Sequence, residues 1–252
     1  MGQDFLFPYE RLDDLQLGGV KIIQNPSWFC FGTDAVLLAD YASKSIKKDA
    51  RVLDLCTGNG IVPLLLSQKS NADKIYGIEI QNEVAEMAKR SVFLNKLDSK
   101  IEIISGDLND SETIFGKRFF NNITCNPPYK ENGGGLTNKS DSATLARHEI
   151  LCNLEDIIRV SSILLKPLGK LCMIHRPERL ADILCLMRKY KIEPKRLRFV
   201  HPSSGKTATM ILVEGAYCGR PKLFLDPPLY VYKDTNIYSD EINRIYGRKA
   251  DM

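Results

Sequence analysis

The sequence predicts an α/β fold, in which a mostly parallel β-sheet carries helices on both faces. Between residues 50 and 125, short apolar stretches alternate with stretches of helical spacing, which is the pattern of successive β-α units. Polar or glycine-rich residues follow each apolar stretch, at the edge where the carboxyl ends of parallel strands meet and ligands bind. Hydrophobic residues make up 44% of the 252, which is enough to cover both faces of such a sheet.

The first half of the chain supplies a hairpin, three helices and four strands of the predicted sheet. The hairpin is expected at Leu12–Gln24, because apolar residues alternate on both sides of Gly18 and Gly19, and we expect it to cap one edge of the fold. The predicted helices are Ala35–Ser43, Ile61–Ser67 and Asn82–Asn95, and the predicted strands are 50–55, Asp73–Ile80, Ile101–Ser105 and Asn121–Cys125.

The second half of the chain completes the sheet. We expect a helix at 154–165, a turn at 166–169, a strand at Lys170–His175 and a helix that ends near Tyr190. Two further apolar strands, 191–200 and Thr207–Glu214, predict the antiparallel hairpin that ends a sheet of this type. A small ribbon and a polar helix at Ser239–Tyr246 close the chain.

Composition excludes several classes of protein. No apolar run approaches the roughly 18 residues of a membrane span, and residues 1–10 lack the pattern of a signal peptide, so we expect a cytoplasmic protein without a membrane partner. Seven cysteines form no C-x-x-C pair and lie mostly in apolar segments, which predicts reduced core thiols and no disulfide frame or metal site. The sequence does not indicate the number of subunits.

One motif, Asn126-Pro127-Pro128-Tyr129, follows the fourth predicted strand. Prolines have no backbone N–H, so the carbonyl groups of Asn126 and Pro127 remain free to accept hydrogen bonds from a ligand. The Asn126 side chain adds another acceptor, and Tyr129 adds an aromatic face. These groups suit a planar molecule that carries an –NH2 group, such as adenine, guanine or a carboxamide. The alternative is a proline turn with a buried tyrosine.

A glycine-rich turn follows the first predicted strand of the sheet. Gly58 and Gly60 allow the backbone to bend tightly and to approach a ligand, which predicts a nucleotide site. A dinucleotide site is disfavoured, because Pro63 stands where its third small residue is needed. Asp54 before the glycines suits the ammonium of an amino acid better than a pyrophosphate.

Two more carboxylates end predicted strands. Glu79 lies 25 positions after Asp54, at the offset where an acid can accept both hydroxyls of a ribose. The alternative is an exposed charge at the end of a strand. Asp107 either accepts from the amine of an adenine or only stops its strand.

Several of these motifs resemble those of a known family. The spacing D-x-x-x-G-x-G from Asp54 to Gly60 resembles motif I of the class I S-adenosylmethionine-dependent methyltransferases, and N-P-P-Y resembles their amino-group-methylating motif. Across nearly the whole chain the sequence is similar to the bacterial tRNA1(Val) adenine-37 N6-methyltransferase family, through the segments G-G-V-K-I-I-Q, F-G-T-D, D-L-C-T-G-N-G, I-E-I, G-D-L, N-P-P-Y, A-R-H-E and P-S-S-G-K-T-A-T-M-I-L-V-E-G. Cys56 and Asn59 depart from the residues more usual in that family.

The resemblance implies a Rossmann-like, seven-stranded sheet with an antiparallel last strand, S-adenosyl-L-methionine as cofactor and tRNA as substrate. It implies a hairpin and helix at 1–48 that cap the cofactor site, a methyltransferase domain at 49–218 and an extension of that domain at 219–252. The expected catalytic residues are Asn126, Pro127 and Tyr129. The expected cofactor contacts are Phe31, Thr33, Asp54, Thr57, Gly58, Gly60, Glu79, Asp107 and Asn126.

The F-G-T-D turn at Phe31–Asp34 is part of the cofactor wall by this resemblance. The alternative makes Trp28, Phe29 and Phe31 a cluster of core aromatics. In either case Thr33 or Asp34 can cap the helix Ala35–Ser43.

The expected substrate contacts are Pro128, Arg147, Lys195, Arg196 and Arg198. Residues 166–206 hold 11 Lys/Arg against 3 Asp/Glu, a local net charge of +8 within a chain of +4, which favours a phosphate-binding face. Local ion pairing is the alternative. Arg147 is assigned by the A-R-H-E resemblance, whereas His148 is expected to be structural. The glycine-rich stretch 130–142 is either a lid or a solvated loop.

Two other functions remain open. Release-factor glutamine N5-methyltransferases share N-P-P-Y, but they carry a larger helical region before motif I, where this chain has only about 50 residues. A non-catalytic RNA-binding module that keeps the pocket for stability is the other alternative.

Overall fold

A nine-stranded sheet runs through the described part of the chain, residues 5–28, 30–128 and 153–248, in this computed structural model. The strands are β3 (Arg51–Leu55), β4 (Lys74–Glu79), β5 (Ile101–Ser105), β6 (Phe120–Cys125), β7 (Leu165–His175), β8 (Ile192–His201), β9 (Met210–Tyr217), β10 (Phe224–Leu225) and β11 (Leu229–Tyr230). Their order is β10-β8-β9-β7-β6-β3-β4-β5, and β11 also pairs with β8.

The central strands are parallel and the last long strand is not. β7, β6, β3, β4 and β5 run in the same direction, whereas β9 is antiparallel to both β7 and β8. This confirms the predicted mostly parallel sheet of seven main strands with an antiparallel last strand. The two-residue strands β10 and β11 extend it at the β8 edge.

Helices cover both faces because consecutive side chains of a buried strand point in opposite directions. Val52 belongs to one hydrophobic cluster, together with the helices at 33–43, 61–69 and 82–94, whereas its neighbour Leu53 belongs to a second one, together with the helices at 154–164 and 180–189. The helices are α1 (Thr33–Ser43), α2 (Ile61–Lys69), α3 (Asn82–Leu94), α4 (Ser111–Phe115), α5 (Leu154–Leu164), α6 (Leu180–Lys189) and α7 (Asp240–Ile245).

The start of β7 differs from the prediction. Residues 166–169 were expected to form a turn, but β7 already begins at Leu165. Leu165 pairs with Phe120 and Lys170 pairs with Asn122, so the four residues between them bulge out of the ladder. Leu168 has a φ of +64°, which lets the strand resume its register after the bulge.

The predicted hairpin is present but lies on a helix. β1 (Arg11–Asp14) pairs with β2 (Lys21–Gln24), and Gly18 and Gly19 between them have positive φ angles. β2 is fixed to α3, because the Ile23 N–H donates to Ser91 Oγ at 3.0 Å. The hairpin therefore lies against α3, which itself packs on β5 at the edge of the sheet.

The C-terminal segment packs on the face that carries α1. It contains the two-stranded ribbon of β12 (Tyr232–Asp234) and β13 (Ile237–Tyr238), followed by α7. Val231, Ile242 and Ile245 are buried in the hydrophobic cluster that includes α1. The last helix therefore lies close to the start of α1, where the site described below is formed.

The burial of the described cysteines bears out only part of the prediction that they are core thiols. Cys125 and Cys172 are buried, whereas Cys185 and Cys218 are exposed. Among the described residues, no helix has both the length and the apolar surface needed to cross a bilayer, and no cluster of three or more His, Cys, Asp or Glu could hold a metal ion.

Candidate active site

The turn after β3 leaves its backbone open to a ligand. Cys56, Gly58 and Gly60 all have left-handed backbone angles, with φ of 55°, 56° and 82°. A Cβ placed on Gly58 would meet no atom within 4 Å, whereas one on Gly60 would lie 3.2 Å from Ala88 Cβ in α3. Gly58 therefore exposes the backbone to the space above the sheet, while Gly60 lets the turn pack against α3.

Asp54 lies beneath this turn. Its carboxylate is 1% exposed and accepts one hydrogen bond on each oxygen, from Thr57 Oγ1 at 2.7 Å and from Thr124 Oγ1 at 2.6 Å. The pKa of Asp54 is raised to about 7, because burial and, to a smaller extent, the nearby Glu79 carboxylate outweigh the two hydrogen bonds, which lower it. Asp54 thus ties β3, β6 and the glycine turn together, and a ligand ammonium would have to use its remaining lone pairs.

Glu79 links the same turn to the end of β4. It is 5% exposed, so the alternative of an exposed charge at a strand end is wrong. Its Oε2 accepts from the Gly58 N–H at 2.9 Å, and its Oε1 accepts from the Gln81 N–H at 3.0 Å. Each carboxylate oxygen keeps a lone pair, so Glu79 can still accept a hydroxyl group beside the open backbone of Gly58.

Gly77 of β4 packs against Thr57 of the glycine turn, so we expect a side chain at this position to be destabilising. A Cβ there would lie 2.8 Å from Thr57 Oγ1 and 2.9 Å from Ile103 Cδ1. We expect Gly77→Ala to lower the free energy of unfolding by about 1–3 kcal/mol and to weaken cofactor binding, because Thr57 has to move away from Asp54. Urea unfolding and calorimetric titration measure the two effects.

Gly106→Ala is the matched control, because a Cβ at Gly106 would meet only Ile114 Cδ1 and Ile78 Cδ1, both at 3.9 Å. It should change the free energy of unfolding by less than about 0.5 kcal/mol. Equal destabilisation by the two variants would contradict the packing argument.

Asp107 acts as a cap in this structure. Its Oδ1 accepts from the Asn109 N–H at 2.8 Å and starts the short 3-10 helix Leu108–Asp110. The strand before it already ends at Ser105, and the contact of Asp107 with an adenine remains a prediction. The cap leaves the second carboxylate oxygen of Asp107 at the carboxyl end of β5.

Asn126 lies at the tip of β6, between the ends of β3 and β7. Its Nδ2 donates to Asp34 Oδ2 at 2.9 Å. Its Oδ1 is buried and has no hydrogen-bond partner among the described residues. A buried amide oxygen without a donor costs about 1–3 kcal/mol, so such an atom marks a place where a ligand donor fits. Pro127 beside it is also buried.

The F-G-T-D turn is connected to the glycine turn through Gln24. The Gln24 Oε1 accepts from the Phe31 N–H at 3.1 Å and from Asn59 Nδ2 at 3.3 Å. Gln24 is 2% exposed. Phe31 packs on the hydrophobic cluster, whereas Trp28 is 40% exposed, so the core-aromatic alternative is wrong for Trp28.

A tyrosine from the C-terminal helix region completes this turn, since the Tyr246 hydroxyl donates to Thr33 Oγ1 at 3.3 Å. Sequence reasoning missed several of these contributors, namely Gln24, Asp34 as a partner of Asn126, Thr124 and Tyr246. The only sequence signal for them is a polar residue at the end of an apolar stretch, which is too common to select them.

The basic residues expected to bind substrate are occupied elsewhere. Arg196 pairs with Asp226 at 2.6 Å and lies 4.6 Å from the centre of the Tyr41 ring. Arg198, 8% exposed, makes two contacts of 2.8 Å with Glu241. Lys195 donates to the Arg220 carbonyl at 2.9 Å. These contacts support the alternative of local pairing in segment 166–206.

Other cations of that segment pair in the same way: Lys170 with Glu214, Arg179 with Asp182, Arg188 with Glu193 and Lys189 with Glu155. Tyr129, Arg147, His148 and the stretch 130–142, together with Phe29, lie outside the described residues.

The ion pairs of Arg198 predict a stability defect with little effect on substrate binding. We expect Arg198→Met to lower the free energy of unfolding by about 1–2 kcal/mol, because Glu241 and the Pro227 carbonyl lose a charged donor. The KM for the substrate should stay within about twofold. Arg179→Met is the control, since its exposed pair with Asp182 contributes little. A large rise in KM with unchanged stability would restore the expectation of a phosphate contact.

Comparison with known proteins assigns this arrangement to a family. The profile of the family described as methyltransferase small domain matches residues 22–182. The chain belongs to this family. A tRNA1(Val) (adenine(37)-N6)-methyltransferase from Porphyromonas gingivalis is 31% identical over 248 residues, which cover 95% of this chain and 92% of that protein. The predicted membership of the tRNA1(Val) (adenine(37)-N6)-methyltransferase family is confirmed.

Solved structures share the fold of this methyltransferase. A predicted O-methyltransferase from Agrobacterium tumefaciens superposes with a TM-score of 0.68 at 23% identity, over 85% of this chain and 95% of that one. A geranyl diphosphate methyltransferase in complex with SAM gives 0.54 at 13% identity, over 73% and 84%. The predicted class I methyltransferase fold is therefore confirmed. Membership of the methyltransferase family confirms the predicted cofactor, S-adenosyl-L-methionine. The open backbone at Gly58 and the Glu79 carboxylate beside it fit that cofactor.

Proposed function

We propose that this methyltransferase transfers a methyl group to the exocyclic N6 of an adenosine in tRNA. By likeness to its relatives, we take the target to be position 37 in the anticodon loop of a valine tRNA. The observation that carries the proposal is the Oδ1 of Asn126, a buried acceptor without a partner among the described residues, at the tip of the strand beside the glycine turn. An amine is the donor that this oxygen lacks.

Asn126 and Pro127 hold the amine in this proposal. One N–H donates to the Asn126 Oδ1 and the other donates to the Pro127 carbonyl, while the Tyr129 ring stacks on the base that has left its own stack. The lone pair of an adenine amine is delocalised into the ring. Two acceptors that favour a pyramidal nitrogen localise this lone pair and direct it away from the ring plane. No base has to act before the transfer, because the methylated amine loses its extra proton readily to water.

The cofactor contacts are proposed from the same region. When bound, S-adenosyl-L-methionine supplies an electrophilic methyl group on a sulfonium sulfur. Glu79 would accept its ribose hydroxyls beside Gly58, and Asp107 would accept its adenine amine at the end of β5. Asp54, held by Thr57 and Thr124, would attract its ammonium from below the turn. Phe31, Thr33, Gly60 and Asn126 would complete the wall.

Residues beyond the amine acceptors contact the substrate RNA in this proposal. Pro128 follows the amine acceptors, and Arg147 is proposed to reach a phosphate. Lys195, Arg196 and Arg198 are retained only as candidates for RNA contact, since their described contacts are within the protein. A cytoplasmic location is proposed with this substrate.

Protein glutamine methylation is the second candidate, because a carboxamide offers the same pair of N–H groups to Asn126 and Pro127. The relatives' names favour tRNA over protein. A non-catalytic RNA-binding module is disfavoured by the unpaired Asn126 oxygen, since a buried acceptor without a donor only lowers the stability of such a module.

The test uses total tRNA from a strain that lacks the gene and, in a parallel reaction, release factor, each incubated with the purified protein and tritium-labelled S-adenosyl-L-methionine. We expect label in tRNA, and mass spectrometry of nuclease digests should locate N6-methyladenosine in the anticodon loop of a valine tRNA. Label in release factor and none in tRNA would replace this function by the second candidate. No label in either would leave only the RNA-binding module.

A further inference from the structure

We propose that Asp34 is a positioning residue, which holds the Asn126 side chain in the one orientation that presents its oxygen to the substrate amine. This inference rests on the proposed function only for its kinetic consequence, because the contact itself is a property of the protein alone. Asp34 is 8% exposed and lies 92 positions before Asn126 in the chain.

The chemistry of the contact fixes the orientation. A carboxylate carries acceptors only, so the end of the Asn126 amide that faces Asp34 Oδ2 at 2.9 Å has to be the –NH2 group. The oxygen therefore points to the other side, where it is buried and unpaired among the described residues. A rotation of the amide by half a turn would bring two oxygens together and would present a donor to a substrate amine that is itself a donor.

Asp34 is in turn held by the start of α1. It lies in the first turn of the helix, and its Oδ1 accepts from the Ala35 N–H at 2.9 Å. The helix N-terminus favours a negative charge at this place. Gly32 leaves room for the carboxylate, since a Cβ at that position would lie 2.8 Å from Asp34 Oδ1. Because α1 packs on β6 and β7, the carboxylate is carried by the same rigid body that carries Asn126.

An uncharged partner removes the constraint. In Asp34→Asn, the side chain at position 34 can offer either an N–H or an oxygen, so the amide of Asn126 is satisfied in both orientations. We expect kcat to fall by about 10- to 100-fold, while the KM for tRNA and the cofactor Kd change by less than about threefold. Asp40→Asn, on the same helix but paired with Lys44 and Lys69, is the control and should leave kcat unchanged.

A reciprocal exchange separates positioning from general damage. In the double variant Asp34→Asn/Asn126→Asp, the amide at position 34 donates to the carboxylate at position 126, whose second oxygen again faces the amine. We expect at least a tenfold higher kcat than in Asp34→Asn alone. In the Asn126→Ala background, Asp34→Asn should have no further effect on kcat. A full additional loss in that background, or a double variant no better than the single one, would overturn the proposal.

A measurement on the protein without substrate tests the contact between Asp34 and Asn126 independently of the reaction. In ¹⁵N-labelled protein, the side-chain amide signal of Asn126, assigned by its disappearance in Asn126→Ala, should shift in Asp34→Asn and stay in place in Asp40→Asn. An unchanged signal in Asp34→Asn would disprove the contact. A shifted signal in a protein that methylates no tRNA would instead mean that the proposed function is wrong and the contact correct.

Discussion

We expect Asn126→Ala to lower kcat by about 10²- to 10³-fold, because it removes an acceptor that the amine needs most in the transition state. The cofactor Kd should stay within about threefold, since the glycine turn, Asp54 and Glu79 keep their contacts. Single-turnover kinetics with labelled cofactor measure the first quantity, and calorimetric titration measures the second.

Asn122→Ala is the matched control on the same strand. The Asn122 amide is also buried, but its Nδ2 donates to Ser45 Oγ at 3.2 Å, away from the strand tip. This variant should lose stability and keep its kcat. If Asn126→Ala lowers kcat and cofactor affinity by the same factor, then Asn126 shapes the pocket and does not act on the amine.

Asp54 makes the stability of the ligand-free protein depend on pH. Its folded-state pKa is raised from 3.8 to about 7, so between these values the folded protein keeps a proton that the unfolded chain has already released. The contribution of Asp54 to the free energy of unfolding therefore falls as the pH rises from about 4 to about 7 and is constant above that range. The full effect is on the order of 4 kcal/mol.

The measurement is urea unfolding of the wild type and Asp54→Asn across this pH range. His175 acts in the opposite direction, because burial lowers its pKa to about 4 and stability then rises with pH up to the unfolded-state value near 6.5. Only the difference between wild type and variant isolates Asp54. As the pH rises from about 4 to about 7, the free energy of unfolding of the wild type should fall by several kcal/mol relative to that of Asp54→Asn. A difference that is the same at every pH would show that Asp54 is ionised throughout.

Cofactor affinity follows from the same carboxylate. If an ammonium lies near Asp54, binding favours the ionised form, so the cofactor Kd should rise by up to about tenfold for each pH unit below 7. Asp54→Asn should bind more weakly and with a flat pH profile. A flat profile in the wild type would remove the ammonium contact from the proposal and leave Asp54 as a support of the turn.

The order of strands and helices was predictable because each depends on short-range properties of the chain. Val52 and Leu53 are both apolar because a central parallel strand is covered on both faces. Gly58 and Gly60 mark a turn because only glycine adopts a positive φ without strain. The prediction for the start of β7 was wrong because a bulge and a turn look alike in sequence. Both place proline and glycine in a polar stretch.

Local patterns in the chain were sufficient to predict the α/β fold, the glycine turn and the proline-flanked acceptors at Asn126, because apolar periodicity and the geometry of glycine and proline act over a few residues. Which polar groups meet became visible only in the folded protein: Asp34 contacts Asn126, Asp54 contacts Thr124, and Arg196 contacts Asp226, and these partners lie 92, 70 and 30 positions apart. The physical reason is that a hydrogen bond or an ion pair requires contact within about 3 Å, and no local pattern encodes which distant elements the packing of the core brings that close.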